Sequence, residues 1–334
     1  MRSHVTKVLA VLLTVVLTIG AADLVMTKRS GLSPTDRRAL EEFQTLAETP
    51  HLWRDVDLVS NPYVLMSKDS GFSYLVTKAP VSSLFAEPIP APTAEGFHVY
   101  RLAHIYPQLL PTWLIGGNFT TIGHPKRVLG QDTYYVKFGE HSFDIPNSSE
   151  HFITFLAHEA FHFYGQEHWG MDPGPTGEPD LSLLQEELVL FDEIRDATDP
   201  NHLKDLARAV LDVEQRRQAA DPEYVAAERW KATVEGTATY VGIKASEAVG
   251  YDFGPMYFDN IANAPFSDVV PFYQSGQLDR GFLNGRLPYE TGAQLALLLD
   301  ELDPAQNWQL YLNDQSPTER RTLIDALERT LLMH

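Results

Sequence analysis

The sequence predicts an α+β protein, with a small N-terminal β-sheet region packed on a mainly helical C-terminal part. Two observations carry this. Between about Asp55 and Phe143 the chain breaks into short aromatic and β-branched runs, "YVLM", "FSYLVT", "FHVYRLAHIY" and "TYYVKFG", with Gly, Pro and Asn between them. From Asn147 onward the pattern is helical almost to the end. With 334 residues, 44% hydrophobic and 21% charged, the chain can bury a sizeable core.

The first element is a targeting segment. Arg2 and Lys7 precede an apolar run from Val8 to Ile19, followed by the small residues Gly20, Ala21 and Ala22. A basic start, a short apolar stretch and a small-residue site describe a signal peptide over residues 1–22, cleaved after Ala22. The rival is an uncleaved membrane anchor reaching Met26, which is barely long enough for a bilayer and carries Asp23. Either way the expected location is extracytoplasmic: periplasmic, secreted or membrane-anchored. The chain has no cysteine, which excludes a thiol nucleophile and a Cys-ligated metal. A net charge of −19 argues against nucleic acid as a partner, and a membrane is expected as one only through an uncleaved anchor.

Two regions should follow, 23–145 with a leading helix and the sheet, and 146–334 with the helices. In "SPTDRRALEEFQTLAE" Ser33 is an N-cap and Pro34 takes the first helical position. The stretch 86–96, "AEPIPAPTAEG", reads as a surface loop. Asn147 and Glu150 form a capping-box-like start to a helix ending at Tyr164. Asp180 caps the next helix, and further helices are expected at about 201–219, 222–248 and 290–302, with a short one near the C-terminus.

The chemistry centres on "ITFLAHEAFHFYGQ" (153–166), which holds His158, Glu159 and His162. Residues i and i+4 share a helix face, so both imidazoles can address one metal ion, while Glu159 lies about 100° round the helix, beside the ion. With 12 histidines, chance alone yields such a spacing in roughly a few per cent of chains like this one. His151 lies on the same stripe but two turns earlier, and reads as a cleft or surface histidine. A catalytic metal also needs a third ligand. The first candidate is Glu235 in "AERWKATVEGTATYVG" (227–242), where Gly236, Ala238, Thr239 and Gly242 let that helix approach the histidine helix closely. The second is Glu187, a carboxylate inside the apolar arc of "LSLLQEELVLFDEIRDA", which could equally bind an arginine.

His158-Glu159-x-x-His162 with the downstream "RWKATVEGTATY" resembles the gluzincin branch of zinc metallopeptidases, in the thermolysin-like superfamily, over perhaps 35 residues. There a tryptophan precedes a Glu-Gly-x-Ala-x-Tyr helix whose glutamate is the third ligand. The resemblance implies a zincin-like helical part with one zinc ion per chain on His158, His162 and Glu235, and Glu159 as general base. It implies peptide or protein substrates. It also implies an oxyanion donor downstream of the third ligand, for which Tyr289 in "GRLPYETGAQLALLLDEL" is the first choice and Arg286, Tyr240 and His168 are rivals. Two departures stand out. Thr239 occupies the place where thermolysin-like enzymes carry an acidic residue that orients the first histidine. The Gly-x-Met-Glu-Asn motif of the aminopeptidase branch is also absent.

The strand in "DTYYVKFGEHSFDIP" would supply an edge along the cleft for an extended peptide. Two other classes stay open: a non-catalytic envelope scaffold on a peptidase fold, and a zinc amidohydrolase of a non-peptide substrate. The intact Glu159 favours an enzyme over the scaffold.

Overall fold

The computed structural model describes residues 14, 17–18, 20–49, 52–170 and 173–333. Apart from residues 14, 17 and 18, the apolar run Val8–Ile19 lies outside the described residues. No described helix is long and apolar enough to cross a membrane. The protein is α+β, and its chain divides into two units, 1–48 with 59–144 and 49–58 with 145–334.

The first unit is built on a six-stranded sheet. Its strands are β1 (Tyr63–Ser67), β2 (Ser73–Thr77), β3 (Ala86–Pro88), β4 (His98–Leu102), β5 (Lys126–Val128) and β6 (Gln131–Phe138). The order is β3-β4-β2-β1-β6-β5, with β1 and β6 parallel and all other neighbours antiparallel. Every residue of the central strands β1 and β2 is buried, which explains why they read as continuous apolar runs rather than alternating ones. Val64, Met66, Leu75, Tyr100 and Leu102 join one cluster of the core. Phe43 of α2 (Pro34–Glu48) packs edge-on to Tyr63, and Tyr74 donates to Asp36 at 2.6 Å.

A helical stretch at 20–29, α1, precedes α2. The Asp23 carboxylate accepts from the Ile105 backbone N–H at 3.0 Å and pairs with His104 Nδ1 at 2.6 Å. The buried Arg101 guanidinium donates to the carbonyls of Thr27, Ser30 and Gly31. Two short helices, α3 (Leu110–Ile115) and α4 (His141–Asp144), complete this unit.

Two sequence expectations are corrected here. The Pro/Ala stretch 86–96 is not all loop, because its first three residues pair with β4 as an edge strand, the position that tolerates proline. Strand β6 is not an edge. It lies between β1 and β5, and beyond β5 its outer side is covered by residues 118–120, with Lys137 N–H donating to Asn118 O and Thr120 N–H to Tyr135 O.

The second unit is helical: α5 (Phe152–Tyr164), α6 (Leu181–Asp196), α7 (Pro200–Ala220), α8 (Pro222–Val249), α9 (Val269–Gln274), α10 (Leu287–Leu302), α11 (Asn307–Asn313) and α12 (Leu323–Met333). Asp180, Asp199 and Asp221 cap α6, α7 and α8 with their carboxylates, and Pro200 and Pro222 open α7 and α8. Gly250 closes α8 in the left-handed region, at φ 75°. The 28-residue α8 is central and mostly buried, so its amphipathic signal is weak. Trp53 joins this unit, packed among Phe161, Trp169, Tyr240 and Trp308, with its indole N–H donating to Asn313.

Helix α5 begins at Phe152, later than the capping-box reading placed it. Asn147 has φ 61°, which breaks a helix there, and no side chain caps the true start. Instead the Tyr251 hydroxyl donates to Ile145 O and accepts from Ser148 N–H, holding the turn. His151 then stacks on the Tyr251 ring at 3.7 Å and is 2% exposed, so it is a core residue and not a cleft or surface one.

Candidate metal centre

Helices α5, α8 and α10 build the centre. His158 and His162 point from one face of α5, as the i, i+4 spacing requires, and Glu235 comes from the middle of α8. His158 Nε2 and His162 Nε2 are 3.1 Å apart, and Glu235 Oε2 lies 3.1 Å from His162 Nε2 and 3.7 Å from His158 Nε2. Two donors at 2.0–2.1 Å from one tetrahedral ion are about 3.3–3.4 Å apart, so the triangle has the dimensions of a single ion's coordination face. These three residues form a group that could hold a metal ion.

The protonation logic agrees with the geometry. His162 Nδ1 lies 2.5 Å from Gln166 Oε1, while the Gln166 amide N–H groups donate to Val234 O and Thr237 Oγ1, both at 2.8 Å. The Val234 carbonyl can only accept, which orients the amide and leaves Oε1 for His162. Nδ1 of His162 therefore carries a proton, and Nε2 is the nitrogen turned toward Glu235 Oε2. At 3.1 Å these two atoms share a cation, either a proton on Nε2 or a metal ion in its place. Burial would lower the His162 pKa, but the Glu235 carboxylate, helped by Glu159, outweighs it and raises the value. Burial likewise opposes ionisation of Glu235, yet the two imidazoles hold it well below the usual carboxylate range. The pocket attracts positive charge.

Gln166 went unnoticed in the sequence because it lies outside the motif. The available signal is its place four residues after His162, in the bend just beyond the end of α5. It does for the second histidine what an acidic residue at the Thr239 position would do for the first, whereas Thr239 only donates back to Glu235 O within its helix.

The small residues of α8 have divided duties. A Cβ on Gly236 would lie 2.4 Å from Gly292 Cα, and one on Gly292 would lie 2.1 Å from Ala232 O. Gly236 thus admits α10, not the histidine helix as its sequence position suggested. The α5 contact falls to Gly242, where a Cβ would meet Thr154 O at 3.1 Å and His158 Cβ at 3.7 Å. The crossing at Gly236 and Gly292 brings Tyr289, one turn earlier on α10, beside Glu235, which directly precedes Gly236.

The Tyr289 ring is parallel to the His158 imidazole, with centroids 5.9 Å apart. Burial and the neighbouring Glu235 carboxylate push its hydroxyl well above the usual tyrosine value, so it stays protonated and able to donate. Half-buried Glu159 acts electrostatically on both His162 and Tyr289, on the centre's side of α5.

Of the other candidates, Arg286 lies over the Tyr289 ring at 5.5 Å and pairs with Glu290 at 2.7 Å. Tyr240 is committed elsewhere, donating to Asp300 in the aromatic core, and His168 is exposed in the loop after α5. Glu187 is not a ligand. It pairs with buried Arg217 at 2.5 Å, in a cluster that also holds Glu214, Glu228 and Arg229. That cluster explains how a carboxylate can sit in the apolar arc of α6.

Compared with known proteins, the chain matches no family model, no curated protein and no solved structure.

Proposed function

We propose that this chain is an exported zinc-dependent metallopeptidase of the gluzincin type. The observation that carries the reading is the convergence of three acceptors, His158 Nε2, His162 Nε2 and Glu235 Oε2, with Glu159 and Tyr289 on the same side. An all-nitrogen-and-oxygen donor set with two imidazoles suits zinc among the common divalent ions. When bound, the ion supplies Lewis acidity to a water and to the scissile carbonyl. Glu159 accepts the proton of the attacking water and returns it to the leaving amine. Tyr289 donates a hydrogen bond to the oxyanion as it develops. Gln166 holds the imidazole of His162 in one tautomer throughout. Export is read from the basic and apolar N-terminal run alone.

The test is zinc content after reconstitution, followed by hydrolysis of a peptide library. We expect about one zinc per chain, lost in Glu235→Ala and kept in Glu187→Ala. Glu159→Gln should keep the zinc while turnover falls by roughly 10²–10⁴-fold. Full activity in Glu159→Gln, or a native chain that takes up no zinc, would end the proposal.

A further inference from the structure

We infer that the substrate carries a carboxylate next to the scissile amide, received by Lys231 and Arg286 on Tyr289; this rests on the peptidase reading above. Lys231 is four residues before Glu235 on α8, so it lies on the same face, about 6 Å nearer the N-terminus. Its ammonium is 6.0 Å from the centroid of the Tyr289 ring, and the Arg286 guanidinium is 5.5 Å from the same centroid. Two cations therefore lie within about 6 Å of the ring of Tyr289, the α10 residue beside Glu235.

Among the described residues the charge of Lys231 has no ion-pair partner. The chain has 45 acidic residues against 26 basic ones, yet among the described residues no carboxylate comes within ion-pair distance of the ammonium of this half-buried lysine. Its stem runs close to the backbone of Gly174. Gly174, at φ 86°, lies so close that a Cβ there would meet Lys231 Cδ at 2.6 Å. A half-buried lysine with no carboxylate beside it among the described residues leaves its ammonium available to an anion from outside.

Arg286 is held in place. It ends the turn Phe282–Arg286, where the helix widens to a π pattern and Leu287 N–H donates to Phe282 O. Asn284 in that turn accepts from the Tyr224 hydroxyl of α8 and donates to Gly177 O of the loop that also carries Gly174. Glu290, which pairs with Arg286, accepts from the Met256 backbone N–H. The guanidinium is thus anchored on one side, and 29% of the side chain remains exposed. The backbone positions of Lys231 and Glu235 are about 6 Å apart along α8, a length that one to two residues of extended peptide cover. The carboxylate is then either the terminal one or an acidic side chain adjoining the cleaved bond.

The experiment uses the zinc-loaded full chain carrying Glu159→Gln, so that peptides bind without turnover. Calorimetry compares an N-acetyl tripeptide acid, its C-terminal amide, and the amide with glutamate at its last position. The acid should bind at least about tenfold more tightly than the plain amide, and Lys231→Met should abolish that preference while Lys231→Arg retains it. Tight binding of the glutamate amide would make the side chain the source of the carboxylate. Equal binding of acid and plain amide, a preference that survives Lys231→Met, or no binding of any peptide would each overturn the inference. Failure of the peptidase reading is visible separately: the native zinc-loaded chain would cut none of the three peptides although the acid preference persisted.

Discussion

Replacing Gln166 with leucine removes the acceptor for His162 Nδ1 at 2.5 Å and two donated bonds at 2.8 Å, one to Val234 O and one to Thr237 Oγ1. The volume changes little, so the effect isolates the polar contacts. His162 is buried, and without the amide neither its tautomer nor its ring rotation is fixed by a hydrogen bond. Losing such an outer partner costs about 10–100-fold in metal affinity, or about 1.4–2.7 kcal/mol. Metal-free stability should fall by about 1–2 kcal/mol, because Thr237 keeps its bond to Thr233 O and the Val234 carbonyl stays within its helix. Gln166→Glu separates the two effects. It keeps an acceptor for His162 but sets a carboxylate oxygen against Val234 O, so zinc affinity should match or exceed that of the native chain while metal-free stability drops. Competition against a chromophoric zinc chelator at pH 7.5 measures the first quantity, and denaturant unfolding in EDTA the second. A Gln166→Leu variant whose zinc affinity stays within about twofold of native would refute the reasoning, and packing alone would then orient His162.

Two further outcomes are expected. Gly292→Ala should destabilise the protein by at least about 1–3 kcal/mol in denaturant unfolding, since the new methyl would lie 2.1 Å from Ala232 O and α8 and α10 must part to admit it; unchanged stability would mean the crossing is looser than described. Burial pushes Glu42 up to about 7 from 4.5, against the opposing pull of Arg38, so the folded state holds the extra proton and this group's contribution to stability is lost as pH rises from 4.5 through 7. Glu42→Gln removes that loss: its stability relative to the native chain should grow by up to about 3 kcal/mol between pH 4.5 and 8, whereas a difference that stays flat would contradict the burial of the charge.

The parts of this structure governed by neighbours in sequence were readable from it. The Asp180 cap and the Pro34 start depend on a few adjacent residues, and so does the shared face of His158 and His162. What required three dimensions was partnership. Gly236 announces a close approach but not to which helix, and only the crossing with Gly292 shows that its neighbour is α10. Glu187 announces a buried carboxylate but not its counter-charge, which is 30 residues away in Arg217. The edge strand Ala86–Pro88 exists only because β4 is beside it, so its prolines read as loop. His151 was misplaced for the same reason: its stacking partner, Tyr251, is 100 residues further along.

Helix α8 carries, in order, Glu228 for the Arg217 cluster, Lys231, Glu235 for the metal centre, Gly236 for α10 and Gly242 for α5. Each is aimed by its angular position, and one residue more or less turns everything beyond it by about 100° and moves it 1.5 Å. The stretch from Glu228 to Gly242 is therefore fixed in length more strictly than in composition. An exposed side chain within it can change at little cost, but an insertion would aim Glu235 and Gly242 at the wrong helices together. Related chains, however far their sequences have drifted, should keep this count unchanged.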